Sequence, residues 1–86
     1  MTCTIDPEPK VEAIFRKMWK KDSVRFGQIE KKLLELSENP EIGKPLKQPL
    51  KGFWRLHIGH YVLIYKIDKI NQKITLTDFT HHDEAY

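Results

Sequence analysis

The stretch Phe53-Trp54-Arg55-Leu56-His57-Ile58, followed by Gly59-His60 and Tyr61-Val62-Leu63-Ile64-Tyr65-Lys66-Ile67, decides the fold. Its hydrophobic period is two. Trp54, Leu56 and Ile58 alternate with Phe53, Arg55 and His57, which predicts a strand with two unlike faces. Gly59-His60 reads as a tight turn, and Asp68 to Gln72 as a second one. Beyond it Ile74 and Leu76 alternate with Thr75, Thr77 and Phe79 in a last strand. Three strands joined by short turns make an antiparallel meander. If Trp54, Leu56 and Ile58 face a core, Arg55 and His57 must stand on the other face. Val62, Ile64 and Lys66 should join them there, with Leu63 and Tyr65 turned inward.

Upstream of this stretch the period is helical. Val11, Ile14, Phe15, Met18 and Trp19 fall at i, i+3, i+4, i+7 and i+8, one apolar stripe expected to be core. Asp6-Pro7 reads as the cap and first-turn proline of that helix. Asp22-Ser23 offers a second cap, and Phe26, Ile29, Leu33 and Leu36 repeat through a second helix that Asn39-Pro40 ends. So short a link predicts an antiparallel helical hairpin whose apolar face covers the sheet. Thr2 to Ile5 can form a short first strand. Residues 40–52 hold three prolines and two glycines, which predicts an extended, stiff connection carrying Lys44, Lys47 and Lys51. The fold class is therefore α+β, with a helical hairpin packed on a small, mainly antiparallel sheet.

Length and composition set bounds on this reading. The chain has 86 residues, enough for a single domain over 1–86, and folding at this size hides only about 60% of the unfolded surface. One cysteine, Cys3, allows no intrachain disulfide, and its place at the start of a strand reads as packing. No apolar run approaches the ~20 residues of a membrane span, and no signal peptide precedes the first strand, so no membrane role and a cytoplasmic location are expected. Net charge is only +3, yet Lys44, Lys47, Lys51, Arg55 and Lys66 fall between Gly43 and Ile67 without an acid among them. A basic half on a near-neutral chain points to a polyanion partner. His81-His82-Asp83 does not make a metal site, because adjacent strand residues point to opposite faces; no metal or other cofactor is expected.

The ordered set Asn39-Pro40-Glu41-Ile42-Gly43-Lys44-Pro45-Leu46, Leu50-Lys51-Gly52-Phe53-Trp54-Arg55-Leu56, Gly59-His60-Tyr61-Val62-Leu63-Ile64-Tyr65 and His81-His82-Asp83-Glu84-Ala85-Tyr86 resembles the RelE/ParE superfamily of toxins from type II toxin–antitoxin systems. It covers almost the whole chain in the family's order and spacing. The resemblance implies a RelE-like fold and, in the RelE branch, a ribosome-dependent, metal-independent mRNA endoribonuclease that uses the RNA's own 2′-hydroxyl. It implies Arg55 and His57 as basic positions on the first meander strand, with His82 where the family has a C-terminal arginine and Tyr86 as its closing tyrosine. These four are the catalytic candidates. Lys44, Lys47, Lys51 and His81 are the RNA-binding candidates. The implied partners are a small acidic antitoxin, the ribosome and mRNA. One position departs from the pattern: the arginine that follows Gly-x-Tyr in many members is Val62 here. Two readings follow, histidines taking over the acid–base work, or a ParE-like inhibitor that acts by binding alone.

Overall fold

The computed structural model describes residues 2–81. Strand β1 (Thr4–Pro7) leads into helices α1 (Pro9–Lys21) and α2 (Ser23–Glu38). A 3-10 turn (Pro40–Ile42) and strand β2 (Lys44–Pro45) precede the meander β3 (Phe53–Ile58), β4 (Tyr61–Asp68) and β5 (Lys73–His81). The five strands form one sheet in the order β1-β5-β4-β3-β2. The β1–β5 pair is parallel, Thr4 lying opposite Lys73, and the other three pairs are antiparallel. Both outer strands are short and contain a proline, Pro7 or Pro45, which blunts the edges against pairing with other chains.

The helices cover one face of the sheet. Val11, Phe15, Ile29 and Leu36 from the helices meet Leu56, Ile58, Leu63, Tyr65, Ile74, Leu76 and Phe79 from the strands in one buried cluster. Phe15 is at its centre, edge-on to Phe26 at 5.8 Å and to Phe79 at 5.1 Å. Asp22 alone separates the helices, and its side chain accepts from the Arg25 backbone N–H at 3.0 Å, a cap that starts α2 where the sequence placed it.

Four expectations need correction. Asp6-Pro7 belongs to β1, and α1 begins one step later, with extended Glu8 as its cap and Pro9 in its first turn. The pairing of β1 with β5 takes Asp6 and Pro7 into the sheet before the helix can start. Trp19 is 60% exposed, not core. At 100° per residue it is about 80° round the helix from Val11, on the flank of the stripe. The proline-rich connection is not extended throughout, since Pro40–Ile42 closes a 3-10 turn. Finally, Phe79 sits in the core with Ile74 and Leu76. The register passes from Ile64↔Asp78 to Tyr65↔Leu76, so Thr77 is an extra residue in β5. That bulge reverses the alternation and swings Phe79 inward.

Candidate functional site

The face of the sheet away from the helices is built by register. Cross-strand pairing sets Phe53 beside Lys66, Arg55 beside Ile64, and His57 beside Val62. One strand further on, Ile64 meets Asp78 and Val62 meets Thr80. Val62 and Ile64 are buried outside the helix-side core and form an apolar floor between β3's basic residues and β5's polar ones. Lys66 rests its ammonium 5.5 Å from the centre of the Phe53 ring.

Arg55 and His57 share this face, as the alternation of β3 requires, but their exposure differs. His57 is exposed, whereas Arg55 is half-buried and so is Trp54 on the core side. The Arg55 Nε is shielded from solvent and has no hydrogen-bond acceptor among the described residues. A buried donor of this kind is unfavourable until an acceptor reaches it. Beside it, where β2 stops, a cavity of about 230 Å³ opens at the sheet edge. Lys32, Lys44, Arg55 and His57 line it together with Ile42 and Gly43. Three strands or helices thus bring three permanent cations and an imidazole to one hollow.

Lys44 is held there by a buried tyrosine. The Tyr65 hydroxyl donates to the Pro40 carbonyl at 2.7 Å and accepts from the Gly43 N–H at 3.2 Å. Burial pushes this hydroxyl up to about 12. Gly43 fits only as glycine, because a Cβ there would lie 2.5 Å from the Arg55 carbonyl oxygen and 2.6 Å from the Tyr65 hydroxyl. The close approach brings the next residue, Lys44, opposite Arg55 in the β2–β3 pair.

The other sequence candidates are placed apart from the hollow. Lys47 and Lys51 are exposed in the turns between β2 and β3, where the Leu50 N–H donates to the Lys47 carbonyl at 2.8 Å. His81 is half-buried at the end of β5, paired with Tyr61. Its ring stacks on His60 at 6.2 Å and meets Tyr61 edge-on at 5.4 Å. His82 and Tyr86 lie outside the described residues. Two residues were missed by reading the sequence. Lys32 looked like any cation on the polar side of α2, where it pairs with Glu35 at 3.0 Å. Asp78 owes its place on the Arg55 row to the bulge at Thr77; Lys10 at the start of α1 reaches it at 3.8 Å. Among the described residues no three metal-ligating side chains converge, and no helix is long and apolar enough to cross a membrane.

A helical pair on one face of a five-stranded mixed sheet, with a basic second face, is the RelE-like α+β architecture. Residues 6–86 match the family described as the ParE toxin of the type II toxin–antitoxin system, parDE, and the chain belongs to that family. A provisionally named toxin RelE4 of Methanocaldococcus jannaschii is 36% identical over 83 residues, 95% of this chain and 88% of that one. The fold is similar to a chain of the RelBE2 toxin–antitoxin complex from Mycobacterium tuberculosis, with a TM-score of 0.78, 23% identity and coverage of 94% and 99% of the two chains. It is also similar to a chain of the archaeal RelE–RelB complex from Pyrococcus horikoshii, with a TM-score of 0.73, 16% identity and coverage of 99% and 100%.

Proposed function

We propose that this toxin cleaves mRNA on the translating ribosome in the cytoplasm and is held inactive by a small acidic antitoxin. The observation that carries the cleavage reading is Arg55, a half-buried guanidinium whose Nε has no acceptor among the described residues, set in a hollow with Lys32, Lys44 and His57. A phosphate oxygen satisfies that donor, and the neighbouring cations stabilise the charge that builds on the phosphorus centre. The RNA 2′-oxygen attacks phosphorus and the bond to the 5′-oxygen breaks, leaving a 2′,3′-cyclic phosphate and a 5′-hydroxyl. One group takes the 2′-hydroxyl proton and another returns a proton to the leaving oxygen, which needs side chains able to titrate near neutral pH. His57 and His82 are assigned this work, with Tyr86 orienting the RNA. Lys47, Lys51 and His81 extend the contact to the ribosome and the message. An antitoxin partner is supported by the structural relatives from M. tuberculosis and P. horikoshii, both solved as toxin–antitoxin complexes.

The test is translation-coupled mRNA cleavage by the wild type, Arg55→Ala, His57→Ala and His82→Ala, with and without EDTA. Each histidine variant should lose roughly 10²–10⁴ in rate, the usual worth of general acid–base catalysis. EDTA should change nothing. A second reading is favoured by Val62, 2% exposed at a position where the family resemblance implies an arginine. It makes the chain a non-enzymatic inhibitor of a large target such as DNA gyrase. Toxicity that survives in every variant, with no cut message from any of them, selects that reading.

A further inference from the structure

One aromatic ring on the basic face has no part in the site above. Phe53 opens β3 and, two residues before Arg55, points to the same side of the sheet. Trp54 between them goes the other way and stacks on Tyr65 at 6.2 Å. The Phe53 ring is half-buried and stays outside the helix-side core. It meets no other ring among the described residues. What it does meet is the Lys66 ammonium, 5.5 Å from its centre, and Lys66 is exposed. The backbone beneath is held on both sides. The Phe53 N–H donates to the Leu50 carbonyl at 3.1 Å, and the Phe53 carbonyl accepts from the Leu46 N–H at 2.9 Å. A rigid strand thus keeps a large flat ring at the surface, next to Arg55 and Lys66 and two residues from Lys51. Nothing in the core requires it there.

We infer that Phe53 is a stacking platform for one unpaired base of a single-stranded RNA whose adjoining phosphate lies at Arg55. The inference rests on the reading of the basic face as an RNA surface, and it adds a base contact to the phosphate contacts. A base and an aromatic ring attract through their flat faces whatever the base, so the contact orders the strand without reading its sequence. Side chains two apart on a strand stand about 7 Å from each other, within the reach of one nucleotide. Lys66 leaves the ring as the base arrives. An ammonium over a ring at an exposed site is weakly held, and a phosphate oxygen is its stronger partner. Phosphate contacts alone would let the strand slide, because every nucleotide carries the same charge. A base fixed on Phe53 stops the slide and sets which bond of the strand enters the hollow. An acidic protein segment is the poorer occupant: its carboxylates suit the cations but leave the ring without a flat partner.

The experiment titrates the full chain into fluorescein-labelled hexaadenylate and into an abasic ribose-phosphate hexamer of equal charge, with anisotropy as the readout. Hexaadenylate should bind at least about tenfold more tightly, since stacking is worth that much per base. Phe53→Leu should remove most of the difference by weakening hexaadenylate alone. Its dependence on salt should stay that of the wild type, because no charge is lost. Lys66→Ala should do the reverse, weakening both hexamers alike and flattening the salt slope by about one unit. Phe53 lies outside the core, so the thermal midpoint of Phe53→Leu should stay near that of the wild type. Phe53→Trp is the second variant; it enlarges the ring and should bind hexaadenylate at least as tightly as the wild type. Equal binding of the two hexamers by the wild type, or binding of neither, overturns the inference. So does a folded Phe53→Leu that binds hexaadenylate like the wild type, or a folded Phe53→Trp that binds it more weakly. A Phe53→Leu that loses affinity for a polyglutamate peptide and not for hexaadenylate assigns the ring to a protein partner and overturns it too. A wild type that separates the two hexamers but cuts no message defeats the cleavage proposal alone, because the titration does not depend on cleavage.

Discussion

Tyr65 is the residue on which the geometry of the basic hollow turns. Its hydroxyl satisfies two backbone groups of the segment that leads into Lys44, so Tyr65→Phe strands both the Pro40 carbonyl and the Gly43 N–H. The expected loss is about 1–3 kcal/mol of stability, measured by urea unfolding. Its proton also sets an alkaline limit. Burial raises the folded-state value to about 12 from 10.0, so between those values the unfolded chain has lost a proton that the folded chain keeps. Stability from this group is complete below pH 10 and falls as pH rises towards 12, by on the order of 2 kcal/mol. The thermal midpoint of the wild type should therefore drop more steeply over pH 10–12 than that of Tyr65→Phe; parallel curves would remove Tyr65 from the account. Asp78 acts in the opposite sense to the cations around it. It puts a carboxylate on the same row as Arg55, so Asp78→Asn should raise affinity for RNA, read by filter binding at fixed salt.

Among the elements, α2 depends on its start. Asp22→Ala removes both the cap on the Arg25 N–H and an ion pair, and should cost about 1 kcal/mol, visible in the thermal midpoint by circular dichroism. That cap could be read in the sequence because capping is local: the signal and its consequence are three residues apart. The alternation of β3 was equally legible, and with it the shared face of Arg55 and His57. What escaped reading was non-local. The bulge at Thr77 has no mark of its own in Ile74-Thr75-Leu76-Thr77-Asp78-Phe79, and it shows only when β5 is laid against β4. Lys32 is separated from Lys44 by a helix end and a 3-10 turn, and only the folded chain brings the two to one cavity. The start of α1 was misplaced for the same reason, since β1 has meaning only beside β5.

For the whole molecule, the basic face predicts a response to salt. If Lys47 and Lys51 meet phosphates, ribosome affinity should fall steeply between low and moderate salt, and Lys47→Ala or Lys51→Ala should each flatten the slope by about one unit of log K per unit of log salt. A slope that neither variant changes would place the phosphate contacts elsewhere. The sheet order has another effect. β5 lies between β1 and β4, so the first strand of the chain has no neighbour in the sheet until the fifth exists. Thr4 must wait for Lys73. A nascent chain still short of that point holds two helices and a partial meander, with Val11 and Phe15 lacking the Ile74, Leu76 and Phe79 they pack against. The sheet and its helix-side core are therefore complete only once β5 is in place, and a chain cut short before Lys73 has neither.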